Sequence, residues 1–547
     1  MDAEATLARV AQASMDDLLA FDPVAATGLG DHRWDDHLPD LTSNNQRAEV
    51  LRIEQHLAEL DAIDDTMLSV DSLVDLEILR AALGRAHFLR AELKRATWDP
   101  MVWNPATSLY LLLSREFAPL DDRRKAARAR VRCIPDWLAA GRQTLDYCSA
   151  IHLTTAVRQL AGTREFLDHQ IRQLLGTDDD VDRALNAVEE FQQWLLEQQA
   201  TATRSPRLGD RLYAGVLWHS LDDPIGAVDV LRQAEDHLDE VTTAMREVAA
   251  AYFGQQRPER GVVQRALDDI AERWPVTNAT LNEELARALA STREFTRQAG
   301  FVTVPDVDVE LIDMPLFHRG VAVAYCDAPG PLERPGSGGQ VLPTFVATAS
   351  TPPDWDAQRV HSFYREYNGL LLHDLMAHEA FPGHVLQLAH DRLARPSRVR
   401  AWGRSGVFVE GWAVYGEEVL LAHGYEPGAG AGAGLALRLQ QLKMQARMCI
   451  NAILDVRVHT SDIDEQGALD LMQYRGFQES QEAAGKWQRA LLTAGQLPTY
   501  FVGYQAVRSI VADLRVLHPE WSARQLHDLL LGHGSPAPRY LRMLLGL

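Results

Sequence analysis

Cysteine is scarce in this chain of 547 residues, and the four present have no metal-binding spacing. They are Cys133, Cys148, Cys326 and Cys449, and no pair of them forms a C-x-x-C or knuckle motif. A disulfide scaffold or a thiolate zinc site would need such a pattern. The sequence therefore argues against both, and we expect a reduced, cytoplasmic protein.

We expect no secretory leader, and the sequence contains no long hydrophobic run. Its first residues, MDAEATLARVAQ, are acidic and amphipathic, with no basic segment followed by an apolar one. No uncharged apolar stretch reaches the 18 residues of a membrane span. The P-loop and G-x-S-x-G motifs are missing as well. We therefore expect neither a membrane partner nor nucleotide or serine-hydrolase chemistry.

Basic residues are outnumbered, 54 Lys and Arg against 76 Asp and Glu, which gives a formal charge of −22. That surplus argues against nucleic acid as the partner. The remaining composition is ordinary for a globular protein, with 46% hydrophobic and 24% charged residues. A chain of this length can bury a core large enough to contain a deep cleft.

Helical periodicity dominates the sequence. Apolar residues recur every three or four positions in 50–60, 157–174 and 231–248, which is the spacing of one helix face. Gly176 and the acidic run after it predict the end of one helix and the start of another. The predicted fold is mainly α, a single unit over 1–547. Within it, 1–319 is predicted to be a mostly helical lobe forming one cleft wall, and 320–547 a catalytic lobe with short strands.

Two segments interrupt the helical pattern. Between 320 and 353, the runs 320–325 and 341–348 are rich in β-formers and flank a turn-rich stretch at 329–339. This small hairpin or sheet could pair with an extended peptide or could be purely structural. The Gly-rich segment 427–434 contains a G-x-G-x-x-A match, but no predicted strand precedes it, so it indicates a surface loop.

The most unusual segment is His378-Glu-Ala-Phe-Pro-Gly-His384, which lies within an apolar helical run. On an ideal helix, positions i and i+6 are about 240° and about 9 Å apart, too far for two imidazoles to share an ion. Pro382 removes a helical hydrogen bond, and Gly383 permits unusual dihedral angles. We hypothesise that a break at these two residues brings His384 beside His378.

A third ligand is suggested by Gly406-Val-Phe-Val-Glu-Gly-Trp-Ala-Val-Tyr-Gly416, in which Glu410 is the one charged residue. A carboxylate in so apolar a run requires a cation, a metal or a proton. Two His and one Glu with an open fourth position form a recurring catalytic zinc set. Glu417 is the competitor, and we expect it to support the ligands or to be solvated.

These motifs resemble those of the bacterial family DUF885. The resemblance rests on HEAFPGH with Leu386-Gln387 and on Glu410-Gly-Trp-Ala-Val-Tyr415, and it is clearest over 320–510. It implies a fold similar to that of the M32 (Taq-type) zinc carboxypeptidases and, more distantly, to angiotensin-converting enzyme and the thimet oligopeptidases. The chain departs from the common family pattern at Val385, Arg457 and Val458.

The resemblance also implies residue roles. His378, His384 and Glu410 would be ligands of one Zn²⁺, and Glu379 would be the general base. Softer matches implicate His459, which Asp455 could orient, and Tyr504, both as donors to a developing oxyanion. A structural histidine and a buried, satisfied tyrosine are equally good interpretations of these last two residues.

The expected function is that of a zinc-dependent metallopeptidase, a carboxypeptidase or oligopeptidase acting on short peptides. Recognition of a terminal carboxylate would need a cation, and Arg447, Arg457 and Arg508 are candidates. Two alternatives remain open. One is a non-catalytic scaffold that binds a peptide or partner, and the other is a metal hydrolase of non-peptide amides or esters. The sequence does not predict an oligomeric state.

Overall fold

The computed structural model describes residues 3–176, 178–314, 324–333, 342–352, 355–428, 430, 432–461 and 463–547. The described chain is mainly α-helical, as the sequence predicts. Helices before the first strand are α1 (Ala3–Phe21), α2 (Pro23–Leu29), α3 (Ser43–Asp61), α4 (Val70–Phe88), α5 (Ala106–Leu113), α6 (Leu120–Thr144), α7 (Ala150–Phe166), α8 (Arg172–Leu175), α9 (Asp179–Gln198), α10 (Asp210–Leu221), α11 (Ala227–Tyr252), α12 (Val262–Arg273) and α13 (Leu281–Ala299).

The second part of the chain continues with eleven further helices among the described residues. These are α14 (Ala357–Glu366), α15 (Gly369–Glu379), α16 (His384–Ala394), α17 (Arg398–Trp402), α18 (Gly406–Ala422), α19 (Ala433–Thr460), α20 (Glu465–Asp470), α21 (Ser480–Leu492), α22 (Pro498–Leu517), α23 (Ala523–Leu531) and α24 (Pro538–Leu545). Short 3₁₀ and π-helical turns extend several helices.

The predicted helical segments agree with these bounds. Segment 50–60 lies in α3, 157–174 spans α7 and α8, and 231–248 lies in α11. Gly176 ends α8 with a φ of +81°, a conformation that suits glycine. The side chain of Asp178 then accepts a hydrogen bond from the backbone N–H of Asp180 at the start of α9.

A three-stranded sheet follows α13. It consists of β1 (Val309–Asp313), β2 (Ala324–Asp327) and β3 (Thr344–Thr348), in the order β1-β3-β2. Strand β3 pairs parallel with β1 and antiparallel with β2. The predicted strands correspond to β2 and β3 where they are described, and 320–323 and 341 lie outside the described residues. The sequence prediction missed β1, although Val309 and Leu311 alternate with polar residues.

Packing of α11 against α19 dominates the largest core, which includes residues from Tyr213 to Leu541. Smaller cores form around residues 96–195 and around α1, α3 and α4. The largest core thus draws on both sides of the boundary proposed at residue 319, and the division into two lobes stays a prediction.

The Gly-rich segment 427–434 follows α18, which ends at Ala422, and overlaps the start of α19 at Ala433. Its described residues form no strand, so the context of a nucleotide-binding turn is not met. Residues 429 and 431 lie outside the described part. In the described helices, no segment has both the length and the apolar character needed to cross a bilayer.

Candidate metal centre

A break between α15 and α16 sets the two histidines side by side. Helix α15 ends at Glu379 and α16 begins at His384. Gly383 closes the break by donating its backbone N–H to the carbonyl of Ala377 at 2.9 Å. A Cβ on Gly383 would lie 1.8 Å from the carbonyl oxygen of His378, so only glycine fits there. The two imidazole centroids lie 4.7 Å apart with an interplanar angle of 83°.

Glu410, on α18, meets both rings. Its Oε2 lies 3.5 Å from Nε2 of His378 and 3.5 Å from Nε2 of His384. The three potential ligand atoms all lie within 4.8 Å of one another. Tetrahedral ligands at zinc distances are separated by about 3.4 Å. The donor set and its spacing therefore fit one zinc-sized ion, and the three residues proposed as ligands do converge.

Helix α18 is held against α22 by a glycine contact. A Cβ on Gly411 would lie 2.3 Å from the backbone of Gly503, and a Cβ on Gly503 would lie 2.0 Å from the carbonyl oxygen of Val407. The two helix backbones therefore touch without intervening side chains. Because Glu410 immediately precedes Gly411, this crossing fixes its position relative to α22.

Glu417 supports the first imidazole. The Nδ1–H of His378 donates to Oε1 of Glu417 at 2.7 Å, and Glu417 is buried. This bond leaves Nε2 of His378 facing Glu410. Asp374, one turn before His378 on α15, is buried as well. Burial, with the neighbouring Glu417 as the next cause, raises the pKa of Asp374 well above its ordinary value.

The electrostatics of the cluster follow from burial and these contacts. Burial by itself raises the pKa of Glu410, but hydrogen bonds from His378 and His384 outweigh it and hold that pKa well below its usual range. Burial likewise disfavours charge on His378, yet its bonds to Glu410 and Glu417 raise its pKa. Nδ1 of His384 is buried and has no hydrogen-bond partner among the described residues.

Glu379, the predicted general base, lines the same cavity as the three converging residues. It is 6% exposed, and burial raises its pKa. The positive charges of His378 and His384 lower that pKa in part, and so does a hydrogen bond donated by the backbone of Cys326 on β2. The small sheet thus positions the carboxylate next to the cluster.

The cavity has a volume of about 570 Å³, which is within the range of small-molecule sites. Its lining comes from β2 and from helices α14, α15, α16, α18, α19, α21 and α22. Among the described residues of 1–319, Arg158 alone contributes to it. The described lining of this cavity therefore comes mostly from the second part of the chain, and the cleft wall expected from 1–319 stays a prediction.

His459 and Tyr504 do not line this cavity. Nε2 of His459 bonds to the carbonyl of Thr493 at 2.9 Å, and its Nδ1 accepts from the backbone N–H of Leu208 at 3.3 Å. The Tyr504 hydroxyl donates to Glu418 and accepts from Gln445. Both side chains are engaged elsewhere, so the oxyanion role expected of them is not supported by their positions.

Asp455 does not orient His459 either. Its Oδ2 accepts from the Tyr213 hydroxyl and from the backbone N–H of Gly495, each at 2.8 Å. Of the two α22 tyrosines, the one that lines the cavity is Tyr500, one turn before Tyr504. Its ring centroid lies 6.5 Å from that of His378. The sequence carried no signal that separates these two tyrosines.

The three arginines considered for a terminal carboxylate are all engaged. Arg447 lines the cavity but pairs with Glu482, and Arg457 pairs with Glu235 outside the cavity. Arg508 lies over the ring of Tyr504 at 5.2 Å. None of them offers a free guanidinium next to the histidine cluster.

The fold and the site define a class: a helical protein whose cavity contains two imidazoles and a carboxylate arranged around one point. The chain belongs to the family described as "Bacterial protein of unknown function (DUF885)", whose model matches residues 23–545. No functionally curated protein matches it significantly.

Two solved structures share the fold. A candidate lipoprotein of unknown function from Shewanella oneidensis has a TM-score of 0.79 and 26% identity, over 99% of this chain and 100% of its own. A candidate lipoprotein from Colwellia psychrerythraea has a TM-score of 0.80 and 15% identity, over 100% of this chain and 99% of its own. Those descriptions belong to the two relatives. The cytoplasmic location and the similarity to M32 peptidases stay predictions.

Proposed function

We propose that this chain is a zinc-dependent metallopeptidase that hydrolyses short peptides, as a carboxypeptidase or an oligopeptidase. The observation that supports it is the convergence of His378, His384 and Glu410 beside a buried glutamate, Glu379, in one cavity. Two imidazoles and one carboxylate are a recurring ligand set of catalytic zinc. The side chain of Glu410 is 22% exposed, which leaves an approach to the cluster from the cavity.

His378, His384 and Glu410 would hold the zinc ion, which would supply a Lewis acid able to polarise a carbonyl and to acidify water. The carboxylate of Glu379 takes the proton of the attacking water and delivers it to the leaving amine nitrogen. The hydroxyl of Tyr500 donates to the carbonyl oxygen as negative charge develops there. Glu417 holds the imidazole of His378 in the orientation that turns Nε2 toward Glu410.

The first test measures metal content. We expect about one zinc ion per chain in protein purified without chelators, by elemental mass spectrometry. Glu410→Ala should lose the metal, and Glu247→Ala, an exposed glutamate on α11, should keep it. A chain that binds no metal even after zinc addition contradicts the proposal and favours a non-catalytic scaffold.

The second test measures turnover. A short-peptide library, read by mass spectrometry, should be cleaved by the zinc-loaded chain. Glu379→Gln should retain zinc and lose cleavage by at least about 100-fold, since it removes the proton acceptor and leaves the ligands intact. Cleavage of esters or non-peptide amides without any peptide cleavage would reassign the same residues to a different hydrolase.

A further inference from the structure

The cavity wall beside the candidate metal centre carries charged residues of both signs. Two ion pairs neutralise most of the charge on this wall. Nζ of Lys443 donates to Glu366 at 2.9 Å, and Arg447 pairs with Glu482. Once these pairs are formed, the acidic residues of this wall already have cationic partners.

One further cation lies on the same wall. Lys486, on α21, lines the cavity and is only 5% exposed. Among the described residues, no hydrogen bond or ion pair reaches its ammonium group. Burial, followed by the charge of Arg447, holds the pKa of Lys486 well below its ordinary value. The carboxylates of Glu482 and Glu366 act on Lys486 electrostatically, but each already pairs with another cation, Arg447 or Lys443. A further carboxylate in the cavity would therefore lower the cost of burying this ammonium.

Arg489 extends this positive surface toward the histidines. It lies three positions after Lys486, on the same face of α21, and also lines the cavity. Its Nη2 donates to the amide oxygen of Gln496 at 2.8 Å, and it forms no ion pair with a described carboxylate. Arg489 neighbours Tyr500, whose ring lies near that of His378. Lys486, Arg489 and the candidate metal centre therefore line one continuous surface of the cavity.

The geometry points to Lys486 as the group that binds the C-terminal carboxylate of a peptide lying in the cavity, with Arg489 beside it. This inference rests on the proposed function and narrows its substrates to peptides with a free C-terminus. Charge-assisted hydrogen bonds from a desolvated ammonium are among the stronger polar contacts. A terminal carboxylate is present on every unmodified peptide whatever its side chains, so it suits a fixed cation near the reacting centre.

The test separates binding from catalysis. The full chain is treated with chelator, so that neither turnover nor metal–carboxylate contact contributes. Calorimetry then compares three N-acetylated probes: Ala-Ala-Phe with a free carboxylate, its C-terminal amide, and Ala-Glu-Phe amide. We expect the free acid to bind about 10- to 100-fold tighter than either amide.

Variants of Lys486 test whether its side chain causes the preference for the free acid. Lys486→Met keeps the length of the side chain without its charge and should abolish the difference, whereas Lys486→Arg should retain part of it. Lys125→Met, at a lysine that is 74% exposed on α6, is the matched control and should leave it unchanged. If Lys486→Met does not fold, Lys486→Gln takes its place.

The inference would be overturned by equal binding of acid and amide, by a preference that persists in the folded Lys486→Met chain, or by no binding of any probe. If the Glu-containing amide binds as tightly as the free acid, the site recognises carboxylates in general, and its assignment to the peptide terminus is wrong. Because zinc is absent from the assay, failure of peptide cleavage and failure of this preference are separate outcomes.

Discussion

Oε1 of Glu417 accepts a hydrogen bond from Nδ1 of His378 at 2.7 Å, while Nε2 of the same ring lies 3.5 Å from Glu410. One imidazole is thus held between two carboxylates of α18, seven residues and two turns apart. Glu417 fixes the tautomer and orientation of the His378 ring. Glu410 and Nε2 of His378 both face the point where an ion fits.

Glu417→Ala should weaken zinc binding about 10- to 100-fold without removing a ligand, because His378 loses the acceptor that orients it. Competition with a fluorescent zinc chelator measures the change. Glu426→Ala, an exposed glutamate beyond the end of α18, is the control and should bind zinc as the parent chain does. Unchanged affinity in Glu417→Ala would show that the contact has no orienting role.

Gly383→Ala should destabilise the chain by about 3 kcal/mol or more and reduce its zinc content, because the new Cβ overlaps the carbonyl of His378. Denaturant unfolding and metal analysis give the two readouts. Gly162→Ala, in α7 with no atom within 4 Å of the added carbon, should instead stabilise by about 0.5–1 kcal/mol. Equal effects of the two substitutions would contradict a packed break at residue 383.

Tyr500→Phe should lower kcat for peptide cleavage by about 100-fold with little change in KM, because its hydroxyl donates only as charge develops. Tyr504→Phe should leave kcat nearly unchanged and lower the free energy of unfolding by about 1 kcal/mol, since it loses the bond to Glu418. The reverse pattern would restore the role that the sequence suggested for Tyr504.

Buried neutral histidines predict acid sensitivity. His527 donates from Nδ1 to the carbonyl of Phe301 at 2.8 Å, and burial lowers its pKa to about 4. The unfolded chain, with an ordinary histidine pKa near 6.5, binds more protons between these two values. The contribution of neutral His527 to stability is therefore complete above about pH 6.5 and falls, by up to about 3 kcal/mol, as the pH drops toward 4.

Urea unfolding at pH 7 and pH 4.5 measures that loss. His527→Gln cannot titrate in this range, so its stability should differ less between the two pH values than that of the parent chain. His169→Gln, an exposed histidine next to α7, should keep the full parental difference. His373 and His459, whose pKa values burial also lowers to about 4, contribute to the dependence that remains in His527→Gln, whereas Asp455, whose pKa burial raises to about 7, opposes it.

The parts of the site that sequence reasoning found are those encoded in local patterns. A carboxylate isolated in an apolar run singled out Glu410, and the Pro-Gly pair indicated where the helix between His378 and His384 breaks. The helix periodicity gave the mainly α fold for the same reason, since it depends on neighbours three and four positions apart.

Other parts depend on contacts between distant segments. Tyr500 and Tyr504 are indistinguishable in sequence, and only the position of Glu418 determines which of them is engaged outside the cavity. Lys486 resembles any other lysine until its neighbours on α14 and α19 are seen to be paired with each other. Strand β1 precedes the Gly- and Pro-rich region, and it is defined by its pairing with β3, a segment far along the chain.

The backbone contact between Gly411 and Gly503 has a mechanical consequence. Glu410 lies one residue before Gly411, and Tyr500 lies three residues before Gly503. Both side chains are therefore close to the point where the two helices cross. At this crossing the two helices meet through main-chain atoms, with no side chain between them that could absorb a relative movement. A displacement of α22 at this point would therefore be passed on to α18, which carries Glu410.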